Sequence, residues 1–194
     1  MSNTEGHSIK IRRSHLLVLL AAFLGWLFDG FEMGLFPIVA RPALTDMYTG
    51  SDNVDAFVGQ WMGWITAVFL LGAAAGGFVF GWFGDRFGRV KAMSASILTY
   101  SIFTGLGFFA QEPWHLALFR FLAALGMGGE WSLGVALVME CWPERLRPLM
   151  AGIIGAAANF GFLLIAAVSK AKEVTTDSWR WLWRVGLLPA MLVF

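Results

Sequence analysis

Five apolar stretches, each long enough to cross a bilayer, alternate with short charged segments along this chain. A hydrocarbon core of about 30 Å requires roughly 20 apolar residues of helix, so runs of this length are poorly explained as core helices of a soluble domain. The chain reads as an all-α integral membrane protein. Composition agrees: 58% of its 194 residues are hydrophobic and only 14% charged, where a soluble domain carries about a quarter.

The spans are expected at about Leu16 to Val39, Phe57 to Phe83, Ala92 to Ala110, Trp114 to Cys141 and Leu149 to Val168. Lys10, Arg12 and Arg13 before the first run superficially resemble a signal peptide. That run is too long for one and lacks a small-residue exit, so it is read as a retained first helix. Lys10, Arg12, Arg13, Arg86, Arg89, Lys91, Arg145 and Arg147 fall on one side of the membrane. Arg41, Lys170 and Lys172 fall on the other, with several acids. Cytoplasmic loops carry the excess of Lys and Arg, which makes residues 1–15 a cytoplasmic segment leading into a multi-pass bundle over 16–194 in the cell membrane.

A sixth helix begins near Trp181, and the sequence stops at Phe194. About 14 residues rise only about 21 Å, short of the membrane thickness. This length leads to the expectation of an incomplete helix 6 in one half of a larger membrane protein whose C-terminal half is missing.

The net charge of +1 gives no basis for binding nucleic acid, and the single Cys141 excludes an internal disulfide or a multi-cysteine metal site. The ten Trp and eighteen Phe suit lipid-facing surfaces and interfacial belts. No nucleophile, base and orienting group fall at matching depth, so an enzyme is not expected, nor is a metal or cofactor. Small residues at Gly72, Gly76, Gly77, Gly81, Ala151, Gly155, Ala157 and Gly161 are read as helix contacts within the bundle. Gly126-Met127-Gly128-Gly129 continues an apolar helix instead of following a strand, so it is no nucleotide loop. Close approach of helix 1 or of a substrate explains it better. Asn159 is read as an interhelical amide, with substrate contact as the alternative, and His15 and His115 as interfacial.

A charge at mid-membrane costs about 2.5–3.5 kcal/mol on insertion scales, so it usually faces a cavity and has a partner. Asp29, Glu32, Arg120 and Glu130 are such residues. Asp29 and Glu32 share one face of helix 1. Asp29 and Arg120 come out at the same depth, about 10 Å below the outer surface, and are expected to pair if their helices are neighbours. On helix 4, Arg120, Ala124, Met127, Trp131 and Gly134 form one stripe, and Glu130 lies about 80° away with a different partner. A buried ion pair that only fixes the bundle and a pair that also binds substrate or proton are both open on this pattern.

The segment GWFGDRFGRVK over residues 81–91 closely resembles the signature between helices 2 and 3 of the major facilitator superfamily, Gly-x-x-x-Asp-Arg-x-Gly-Arg-x-Lys, at every fixed position. A second block, RFLAALGMGGEWSLGVALVMECWPERLR from Arg120 to Arg147, resembles helix 4 and the following loop of the sialic-acid and metabolite:proton symporters of that superfamily. Asp29-Gly30-Phe31-Glu32 is similar to their Asp-Gly-Phe-Asp element, with a longer second acid, and Trp179-Arg180-Trp181 resembles the opening of their sixth helix. The resemblance implies the six-helix half of a 12-helix bundle built of 3+3 repeats. It also implies a cytoplasmic gate formed by Gly81, Asp85, Arg86, Gly88, Arg89, Glu140 and Arg147. An ionic latch in a tight glycine-framed turn is a bistable element that a ligand can bias.

The function expected on these grounds is secondary active transport: proton-coupled symport of a small organic anion such as sialic acid or a monocarboxylate. Asp29, Glu32, Arg120 and Glu130 would handle proton and substrate. In this scheme Arg120 keeps Asp29 charged until a substrate carboxylate takes its place, and Asp29 then binds a proton. A neutral-sugar porter or an exporter on the same scaffold, and a non-transporting membrane protein that only associates with other helices, are the alternatives.

Overall fold

The structure, a computed structural model, describes residues 13–50 and 53–192. The segment before Arg13, with Lys10 and Arg12, lies outside the described residues. The elements are α1 (Arg13–Asp46), α2 (Val54–Phe87), α3 (Arg89–Leu106), α4 (Pro113–Cys141), α5 (Arg147–Ala171) and a short α6 (Arg180–Val185). Single 3-10 turns follow α3, α4 and α6, at Gly107–Phe109, Glu144–Leu146 and Leu188–Leu192. Five of these stretches are long and apolar enough to span a membrane, in agreement with the five apolar runs.

Most helices continue past their apolar stretch, because polar caps hold their ends. Asn53 caps α2, its side chain accepting from the backbone N–H of Asp55 at 2.9 Å and of Ala56 at 3.3 Å. Pro113 opens α4 at a position where its missing N–H costs nothing, and the Glu112 N–H donates to His115 Nδ1 at 3.1 Å. The segment from Gly81 to Lys91 is not an extended loop. Helix α2 runs through Asp85 to Phe87, and α3 starts at Arg89, so the turn is the single residue Gly88 at φ 100°. An L side chain is strained at that φ, which is why glycine stands there.

Helix α4 sits at the centre, against α2 on one side and α3 on the other, while α1 packs on α5 and α4. These contacts are close because small residues remove side chains from them. Gly72 and Gly76 lie on the backbone of α4 at Phe121 and Leu125, and Gly30 and Gly161 bring α1 onto α5. The Gly126 run serves α3 and α2, not α1: Gly126 faces Ser96 and Tyr100, Gly128 faces Ala73, and Gly129 faces Phe80. Ser96 Oγ also donates to the Gly126 carbonyl at 2.6 Å. Gly81 and Gly155, by contrast, have no atom near enough to touch an added methyl, so these two do not serve contacts within the bundle.

Side-chain bonds tie the two ends of the bundle. At the α1–α2 end, Asp46 accepts from Trp179 Nε1 at 3.0 Å and from Arg180 at 3.1 Å, and Arg41 pairs with Asp55 at 2.6 Å. At the opposite end the Trp142 indole donates to the His15 carbonyl at 3.2 Å. Large apolar side chains such as Phe78, Leu71, Leu163 and Trp64 point outward, as lipid or further helices would require.

Candidate functional site

The face of α1 that carries Asp29, Glu32 and Phe36 turns inward, where α4 brings Arg120 and α2 brings Phe69. Arg120 is 3% exposed and forms a hydrogen-bonded ion pair through Nη1 with Glu32, itself 1% exposed. Its guanidinium lies 4.5 Å from the Phe69 ring centroid and 4.9 Å from that of Phe36. Planar, weakly hydrated and flanked by two aromatic rings, it can be held in an apolar setting that an ammonium would leave. Thr104 on α3 faces Glu32.

The pairing thus differs from the expected one: Arg120 meets Glu32, one turn of α1 away from Asp29. Equal depth along two helices fixes a partner only to about a turn. The two phenylalanines decide the rest, since Phe36 lies one turn beyond Glu32 and draws the guanidinium that way. Arg120 Nε and Glu32 Oε2 have no hydrogen-bond partner among the described residues. Beside them is a cavity of about 190 Å³ walled by Met33, Phe36, Thr66, Phe69 and Leu70, with Arg120 its only charged wall among the described residues. A carboxylate entering there meets an arginine with donors to spare in an otherwise apolar space.

Deeper along α1, Asp29 and Glu130 face each other, 1% and 0% exposed. Glu130 reaches α1 because Gly25, one turn before Asp29, has no side chain. An added Cβ there would overlap the Glu130 carboxyl. None of the four carboxyl oxygens has a hydrogen-bond donor in bonding geometry among the described residues. Tyr100 on α3 is within electrostatic reach of both acids, with its own hydroxyl unpartnered, and Trp131 on α4 faces Asp29. All four candidate residues of the membrane interior therefore cluster, but as an ion pair and an acid pair.

At the α2–α3 end, Arg89 bridges two acids from different helices, Asp85 at 2.9 Å and Glu140 at 3.5 Å. Arg147 does not join them. It pairs with Glu144 at 3.6 Å and donates from Nε to the Trp142 carbonyl at 3.1 Å. Arg86 turns outward over the Trp82 and Phe87 rings, at 5.5 and 5.8 Å. Gly88 forms the turn, while Gly81 lies a helical segment away on α2. Asn159, read as an interhelical amide, is exposed on α5, and Cys141 is exposed at the end of α4. Sequence reasoning missed Gly25, Phe36, Phe69, Tyr100 and Thr104. Only Gly25 and Phe36, each one turn from a buried acid on the same face of α1, carried a legible signal.

Comparison with known proteins bears on what such a site does. Residues 17–194 match the family described as sugar (and other) transporter. The sialic acid transporter NanX of Escherichia coli is 31% identical over 176 residues, covering 90% of this chain and 41% of that protein. The niacin transporter NiaP of Acinetobacter baylyi is 29% identical over 187 residues, covering 96% of this chain and 40% of that protein. The chain thus spans about two fifths of the length of these relatives. In fold it superposes on the major facilitator superfamily proton:xylose symporter XylE with a TM-score of 0.79 at 20% identity, over 92% of this chain and 43% of that one.

Proposed function

The chain belongs to the sugar (and other) transporter family of the major facilitator superfamily, and from that premise we propose that it serves proton-coupled symport of a small organic anion across the cytoplasmic membrane. Arg120 receives the substrate carboxylate, and the buried acids Asp29, Glu32 and Glu130 answer for the proton. The observation that carries this reading is the Glu32–Arg120 pair beside an apolar cavity. In the empty site Glu32 neutralises Arg120. An incoming carboxylate offers the guanidinium the same bidentate geometry and displaces Glu32. Two anions cannot both be left buried beside one cation without severe cost, so anion entry favours proton entry.

The Arg89 cluster supplies the gate in this proposal. Its acids come from α2 and α4, so opening that end separates the pairs, and closing it restores them. The distribution of loop charges supports a cytoplasmic N-terminus, and with it a gate on the cytoplasmic side. Sialic acid, niacin and other carboxylates are what relatives are named for, and an apolar cavity with one arginine suits a small monocarboxylate. Uptake of labelled nicotinate and N-acetylneuraminate into vesicles containing the full-length protein, with and without an imposed pH gradient, tests the reading. Accumulation above equilibrium only with the gradient is the expected result. Equal uptake under both conditions would point to a uniporter or an exporter.

A further inference from the structure

The acid pair is not used by the ion-pair exchange just described. Asp29 and Glu130 lie carboxyl to carboxyl, both almost fully buried, with no cation beside them, since Arg120 is engaged by Glu32. The groups facing them are Glu32, one turn outward, Tyr100 from α3 and Trp131 from α4. The charged residues of α2 and α5, Asp55, Asp85, Arg86, Arg147 and Lys170, belong to the first or last turns of those helices. Two bare carboxylates so placed repel each other in a low-dielectric site, and all four of their oxygens lack donors. One proton cures both defects, because an O–H on either acid donates to the other.

We propose that Asp29 and Glu130 share a single proton, and that this proton, and not one on Glu32, is the one exchanged in transport; the second clause rests on the symport reading above. Gly25 makes the site by letting Glu130 reach the helix of Asp29. Trp131 on α4 faces Asp29 and is itself 43% exposed, so in this proposal the proton enters along it. Loading transfers a proton from hydronium there to the acid pair, taking it from two negative charges to one. Release returns the proton to water on the other side, when the Tyr100 hydroxyl and the Trp131 indole can turn their donors toward the bare pair. Glu32 exchanges Arg120 with the substrate, and the proton on the neighbouring acid pair offsets the anion that enters.

Infrared difference spectroscopy of the purified full-length protein between acid and alkaline buffer reads this proton as a carboxyl C=O band. The band should be lost in Asp29→Asn and equally in Glu130→Gln, and kept in Glu32→Gln. Either of the first two variants alone suffices if the other fails to fold. Persistence of the band in both, or its loss only in Glu32→Gln, overturns the proposal. In vesicles, both neutral variants should keep counterflow of labelled nicotinate or N-acetylneuraminate while gradient-driven accumulation falls to the level without a gradient. If the variants accumulate substrate like the unaltered protein, the shared proton is not the transported one. If the unaltered protein ignores the gradient, the symport reading fails, and the band still decides whether the pair shares a proton.

Discussion

Glu130 lays its carboxyl against the backbone of Gly25, so α4 contributes an acid to the face of α1 at a point where any side chain on α1 would exclude it. Gly30, a turn further along, is equally crowded by a different kind of neighbour, the backbone of Ala158 on α5. The two glycines should therefore respond differently to a methyl group.

Gly25→Ala meets the far end of a flexible side chain. The methyl also favours the helix by about 0.5–1 kcal/mol, so thermal unfolding of the full-length protein in detergent should shift little. Glu130 must swing away from Asp29, and pH-gradient-driven uptake should weaken. Gly30→Ala meets backbone that cannot move aside without separating α1 from α5. It should cost about 1–3 kcal/mol, the range for overpacking, and lower the unfolding midpoint. Equal midpoints for the two variants would contradict the close approach described here.

Asp85→Asn should leave insertion and stability intact within about 1 kcal/mol, since Asp85 and its partner Arg89 are partly exposed and such pairs contribute little. If the Arg89 cluster is a gate, the same change shifts the balance of inward and outward states and lowers turnover. Arg89→Ala should do so more strongly, because it releases Asp85 and Glu140 together. Thiol accessibility of cysteines placed along α1 and α4 measures the balance. Unaltered transport with unaltered labelling in both variants argues that these charges only anchor topology.

Orientation is checked independently of transport. Cysteines at Thr49, between α1 and α2, and at Arg86, before the α2–α3 turn, are compared in a Cys141→Ser background with a membrane-impermeant thiol reagent on intact cells. The charge distribution predicts labelling at position 49 alone. Labelling at position 86 alone inverts the orientation.

Much of this architecture was legible because lipid imposes simple rules. Apolar runs of fixed length become spans, and the described residues hold five. Charges inside those runs are expensive, which singled out Asp29, Glu32, Arg120 and Glu130 before any contact was known. What the pattern could not give was which acid meets Arg120. Asp29 and Glu32 differ in depth by only about 4.5 Å, less than the reach of an arginine. The choice falls to Phe36 and Phe69 together, and the place of Phe69 beside Arg120 depends on how α2 crosses α4. The turn is tight as expected, but the helices run closer to it than the spans ending at Phe83 and opening at Ala92 suggest. A polar, glycine-rich stretch looks like a loop, yet Arg86 lays its guanidinium near the Trp82 and Phe87 rings, and the helix runs to Phe87.

Arg120 offers the sharpest separation of structural and functional roles. Arg120→Ala leaves Glu32 buried and without its cation, and losing one partner of such a pair costs about 3–5 kcal/mol. Removing the leftover charge as well, in Arg120→Ala with Glu32→Gln, should recover most of that stability, since no bare carboxylate remains. A pair that only fixed the bundle would regain transport together with stability. A pair that binds substrate would not, because the carboxylate has lost its only cation in the cavity. Arg120→Lys completes the series: it keeps the charge but loses the flat surface held between Phe36 and Phe69 and the two-pronged grip on a carboxylate. It should fold less stably than the unaltered protein, though better than Arg120→Ala, and bind labelled nicotinate or N-acetylneuraminate at least tenfold more weakly. Full binding by the double variant would reduce the Glu32–Arg120 pair to a structural element and move the substrate site elsewhere.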